Sequence, residues 1–169
     1  MARARGTTAP PAGPSPVPCV VLSRQRRVRI SAERITRLVD RTLAALGRRG
    51  ANAEVVFVDD DEIRRLNRAW RGVNRRTDVL AFPVDTPDIG GLVGEVVVSA
   101  ETAARQARRL RVPVAAELDL LVTHGLLHLV GYDDRDPLEA TLMHARERVI
   151  LSSGRRRPPA RLWTGLLHA

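Results

Sequence analysis

The chain has 169 residues, which fits one domain of ordinary size with tails. Its formal net charge is +9 and all 28 basic residues are arginine; a GC-rich genome accounts for the missing lysine, but the excess of base over acid favours polyanionic partners. The single cysteine, Cys19, excludes an internal disulfide framework and a thiolate zinc cluster, and no apolar run approaches the roughly 18 residues of a membrane span, so a soluble, cytoplasmic protein is expected.

Residues 1–17 are rich in Pro, Gly and Ala without a period, and are expected to form a disordered tail with no secretory signal. A short strand follows around Cys19 to Leu22 or Arg27 to Ile30. Ser31 has the chemistry of a helix N-cap, and Ile35, Leu38, Val39, Leu43 and Leu46 recur at helical spacing until Gly47. Glu54 to Val58 predicts a strand buried on both faces. Asp59, Asp60 and Asp61 suit the start of a helix with apolar positions at Ile63, Leu66 and Trp70. Asp78 to Val84 predicts a strand, with Pro83 marking an edge or an end, and Glu95 to Val98 another. Ser99 caps a helix ending near Leu110, and Pro113 opens the next, over 114–130, which is apolar nearly all round and therefore central. Pro137 starts a last helix reaching about Leu151. From Ser153 the chain is expected to run as a basic, mobile tail to 169. The alternation predicts a single α/β (α+β) domain over 18–152, with a small mixed β-sheet packed by about five helices.

The central helix carries the chemistry. Thr123 to Asp134 reads THGLLHLVGYDD. His124 and His128 are four residues apart, so on a helix both imidazoles leave one face and can converge on one cation. Both lie in a segment too apolar for ordinary surface histidines. Gly131 ends the helix and lets Asp133 or Asp134 turn back; two histidines, one carboxylate and a position left for water make a zinc arrangement that also suits other first-row metals. A zincin protease needs Glu after its first His, and Gly125 stands there, so proteolysis is disfavoured.

HGLLHLVGYDD closely resembles the signature of the YbeY family of endoribonucleases and ribosomal-RNA maturation factors, HGxLHLxGYDH. LNRAWRGVNRRTDVLAFP (Leu66 to Pro83) and GEVVVS (Gly94 to Ser99) are similar to further family blocks, and Glu139, Met143 and Glu147 fall at its helical spacing. The similarity covers roughly residues 50–151. It implies His124 and His128 as metal ligands and Asp134 as the third, at a position where the family usually has His. His144, on the next helix, reads as a surface or supporting residue. The resemblance also implies that Arg71 holds RNA phosphate. The implied function is a single-strand-specific, zinc-dependent endoribonuclease acting on ribosomal RNA of the small subunit, in end processing and quality control. A metal-stabilised, non-catalytic ribosome-assembly factor and another metallohydrolase are the rival readings. Glu95 and Tyr132 are candidates for assisting proton transfer.

Overall fold

The computed structural model describes residues 18–85 and 91–168; the expected N-terminal tail lies outside them. Four strands, β1 (Val20–Ser23), β2 (Asn52–Val58), β3 (Val79–Pro83) and β4 (Leu92–Ser99), form one sheet in the order β1-β2-β4-β3. β1, β2 and β4 run parallel, and β3 closes the edge antiparallel to β4 with Pro83 opposite Gly94. Five helices accompany them: α1 (Ala32–Ala45), α2 (Asp60–Arg71), α3 (Ala100–Leu110), α4 (Val114–Leu129) and α5 (Pro137–Ser152). The mixed sheet and helix order match the sequence expectation. No helix among the described residues is long and apolar enough to cross a membrane.

The sheet is covered on both faces. Val55, Phe57, Val96 and Val98 point into the main core with Ile35, Leu38, Leu118 and Leu126 of α1 and α4, while Val56, Val58, Val97 and Leu80 point the other way onto Ile63 of α2. β2 therefore needs apolar residues at consecutive positions, as its sequence has. α4 runs through the middle with ten buried residues, among them Leu118, Val122, Leu126 and Leu127. Each fully buried aliphatic side chain contributes about 1.5–3 kcal/mol, so α4 dominates the packing.

α4 reaches the sheet through Gly125. A methyl group at this position would fall 2.4 Å from Val96 Cγ1, inside that side chain, and 3.3 Å from Val79 Cγ2, in tight contact with it. A glutamate here would be driven into the sheet, so the position of a zincin's general base is closed by packing.

Caps and charges locate the other helices. Ser31, Asp59, Ser99 and Asp136 each accept from a backbone N–H in the first turn of α1, α2, α3 and α5. Asp60 joins α2 to α3: it accepts from Ser99 Oγ at 2.6 Å and Thr102 Oγ1 at 2.7 Å, and pairs with Arg105 at 2.7 Å.

The C-terminal segment departs from the expected mobile tail. A 3-10 helix, Ala160–His168, follows Pro158 and Pro159, and Leu162 is fully buried in the main core. The Arg148 guanidinium lies 5.4 Å from the centre of the Trp163 ring. The apolar Leu162-Trp163 pair, hidden after three arginines, is what brings this segment back.

Two outcomes are expected from urea unfolding. Gly125→Ala lowers stability by about 1–3 kcal/mol through overpacking, and Val96→Ala in the same chain restores part of that loss because the clash is between these two residues. Asp60 has the opposite kind of signature. Burial opposes its charge, but Arg105, Ser99 and Thr102 outweigh burial and hold its pKa at about 2, below the ordinary 3.8. The resulting stabilisation, about 2 kcal/mol, is fully present above pH 4 and is lost as pH falls toward 2; Asp60→Asn removes that acid-side slope.

Candidate metal centre

The two histidines of α4 project from one face, with ring centroids 4.6 Å apart. Each ring is oriented by its Nδ1. His124 Nδ1 lies 2.7 Å from Glu147 Oε1, and His128 Nδ1 lies 2.9 Å from the carbonyl oxygen of Tyr132. A carboxylate and a carbonyl only accept, so both Nδ1 atoms donate and both Nε2 atoms turn to the same point. They face each other across 3.1 Å.

Asp134 completes the group. Its Oδ2 is 3.4 Å from His124 Nε2 and its Oδ1 is 3.8 Å from His128 Nε2. The three donor atoms lie within 4.8 Å of one another. Gly131 makes the approach possible: at φ +100° it takes a backbone conformation that disfavours other residues, and the chain reverses directly after α4. Asp133, the alternative third ligand, is turned away and accepts from Arg135 Nε at 2.7 Å.

The electrostatics of the group call for a cation. Two imidazole lone pairs and a carboxylate repel each other at this spacing unless positive charge sits among them. Burial opposes a proton on His124, yet hydrogen bonds to Asp134 and Glu147, with their negative charges, outweigh burial and raise its pKa to about 9. Burial and the neighbouring His124 lower that of His128. Asp134 is held below the usual carboxylate range, chiefly by its hydrogen bond with His124. The residues present therefore fit a divalent cation by chemistry as well as by position.

Behind them lies Glu147 of α5, with no solvent exposure at all. Burial resists its ionisation, but hydrogen bonds from His124 and His144 win and keep it below the ordinary range. His144 Nδ1 is 2.9 Å from Glu147 Oε2. His144, Glu147 and His124 also meet the spacing of a ligand group, but both carboxylate oxygens are already taken by histidine N–H groups. His144 thus supports Glu147 and does not join the three convergent atoms. Glu147 has no role among the sequence-based expectations. Its signal was a glutamate on the apolar face of α5, four residues after buried Met143 and three before buried Ile150.

The centre opens into a cleft of about 740 Å³ that runs along β3 to the end of α2. Arg71 and Trp70 line its far side, and the indole is 71% exposed with its ring centroid 5.7 Å from that of Phe82. Tyr132 lines the cleft as well. Glu95 is not brought to it: β4 alternates, and Glu95 shares a face with Val97, away from α4.

A family model described as Endoribonuclease YbeY matches residues 21–154. The chain belongs to the YbeY family. It is 48% identical over 126 residues to a protein named Endoribonuclease YbeY from Anaeromyxobacter sp. (strain Fw109-5), covering 74% of this chain and 66% of that one. A second so named, from Anaeromyxobacter dehalogenans (strain 2CP-C), is 49% identical over 106 residues, covering 62% and 55%. The chain thus spans between about half and two thirds of the length of these curated relatives. The solution structure of a Thermotoga maritima protein shares the fold at a TM-score of 0.56 and 25% identity, covering 87% of this chain and 90% of that one. Within the YbeY signature this chain carries Asp134 where the resemblance implies His, and its carboxylate reaches toward both Nε2 atoms.

Glu147 yields a prediction separable from activity. Glu147→Ala leaves two histidine N–H groups without their acceptor and is expected to weaken the binding of a divalent cation about 10- to 100-fold, measured with zinc as the probe ion by competition with a chromophoric chelator. Glu147→Gln keeps one acceptor oxygen and falls between the two.

Proposed function

We propose that this chain is a zinc-dependent endoribonuclease that processes ribosomal RNA of the small subunit in the cytoplasm. The observation that carries this reading is the convergence of His124 Nε2, His128 Nε2 and the Asp134 carboxylate in the same cleft as Arg71. Membership of the YbeY family supports the substrate class, and so does the formal charge of +9.

His124, His128 and Asp134 would hold the ion. When bound, a divalent cation supplies Lewis acidity, stabilising negative charge on phosphoryl and attacking oxygens. Glu147 and the Tyr132 carbonyl hold the Nδ1 sides of the two histidines, so that both Nε2 atoms face the ion's position without rotation of either ring. Arg71 donates a fork of two parallel hydrogen bonds to non-bridging phosphate oxygens and opposes the charge that grows there. Trp70 offers an exposed ring face on which an unpaired base stacks. Such a cleft selects strands whose bases can be splayed out, and single-stranded RNA meets that requirement.

Tag-free protein and its His128→Ala and Arg71→Ala variants, prepared in parallel, are to be compared on a single-stranded ribosomal-RNA fragment. Activity is expected to disappear in His128→Ala and to fall about 100-fold in Arg71→Ala. Equal cleavage by wild type and His128→Ala would identify a contaminating ribonuclease. Silence in the zinc-loaded wild type would sink the catalytic reading in favour of an assembly factor.

A further inference from the structure

Two groups of arginines far apart in sequence meet on the side of α4 away from the metal centre. Asp119 and His128 are nine residues apart, about two and a half turns, so their side chains leave opposite sides of the helix. Beside Asp119 lies a cavity of about 800 Å³ whose wall carries Arg34, Arg37 and Arg41 of α1 and Arg155, Arg156 and Arg157 of the segment after α5. The three on α1 are spaced three and four residues apart and share a face. The other three are carried there by the docking of Leu162 in the core.

The acidic groups present do not match these cations. Asp119 pairs with Arg34, and Glu33 with Arg37. Among the described residues the other four guanidiniums have no carboxylate within 4.0 Å, and Arg41 Nε is buried without a hydrogen-bond partner. The Arg41 head packs against Gly154, which brings it up to the arginine run. Leu38, Leu151 and Pro158 give the cavity an apolar floor. Guanidiniums around an apolar floor are built to take phosphate oxygens by paired hydrogen bonds while a sugar rests below.

We infer that this cavity is a second phosphate-binding site, engaging the backbone of a long RNA on the back of α4. The identity of the polyanion as RNA rests on the function proposed above; the site itself rests on the arginines. A row of consecutive cations at Arg155, Arg156 and Arg157 suits a strand with one charge per nucleotide. An RNA that engages both sites at once must pass around the molecule, so a long strand gains affinity from the second site that a short strand seated in the metal-centre cleft does not.

The test uses full-length protein and fluorescein-labelled 2′-O-methyl phosphorothioate RNA, which resists cleavage, so that binding reads out whether or not the chain is a nuclease. The Arg155→Gln/Arg156→Gln/Arg157→Gln variant is expected to bind a long strand at least about 10-fold more weakly and to flatten the slope of log affinity against log salt by about 2. A short strand that fills only the metal-centre cleft is expected to bind both proteins equally. Arg41→Gln, checked by thermal unfolding, gives the same pattern from the other wall; the arginine-run variant stands alone if that protein does not fold. Unchanged affinity for the long strand overturns the proposal. An equal loss in an Arg26→Gln/Arg48→Gln/Arg49→Gln control overturns it too, because bulk charge would then suffice. Polyglutamate binding that falls in the variant while RNA binding holds would assign the cavity to an acidic protein instead.

Discussion

The contact between Gly125 of α4 and Val96 and Val79 of the sheet sets the depth at which the two histidines of α4 sit. Without a side chain at 125, the helix lies directly on β4 and β3, with its backbone where a Cβ would collide. That depth leaves His124 and His128, one residue before and three after, at the edge of β3, where the cleft begins. A helix held a side chain's width further out would lift both imidazoles off that wall. The same closeness removes room for an acidic residue at 125, so any chemistry at this centre proceeds without a base on that turn.

The second constraint is electrostatic. A carboxylate with no exposure costs several kcal/mol to desolvate, and Glu147 is held ionised only because two histidine N–H groups take its two oxygens. The arrangement is mutual: the anion fixes the tautomer of His124, and His124 and His144 keep the anion from being an uncompensated charge. Tyr132 does the equivalent for His128 with a backbone carbonyl, which costs less because the oxygen carries no net charge. The geometry of the three donor atoms thus depends on α5 and on the loop after Gly131, not on α4 alone.

The arginines look interchangeable in the sequence, but the fold sorts them. Arg105 is spent on Asp60 and Arg34 on Asp119, tying helices together. Among the described residues Arg71 makes no ion pair and stands in the cleft, and the groups at Arg41 and Arg155 to Arg157 face a cavity of their own. A formal charge of +9 is therefore a sum over structural pairs and unpaired cations, and only the latter are available to a polyanion.

By itself the sequence determined the local features. Period and caps marked α1 to α5 with their starting residues, short runs of β-branched and apolar residues marked the strands, and the spacing of His124, His128 and Gly131 marked a centre that turns back on itself, because each signal is written within a few adjacent residues. Tertiary structure alone decided what depends on distant partners. It paired Glu147 with two histidines on different helices, turned Asp133 to Arg135 and left Asp134 to face the imidazoles. It put Glu95 on the wrong face of the sheet, docked Leu162 after a stretch that reads as a basic tail, and gathered arginines from residues 34–41 and 155–157 around one cavity. Burial and charge pairing are properties of the neighbours in space, and the spacing of residues along a chain holds no record of which neighbours those are.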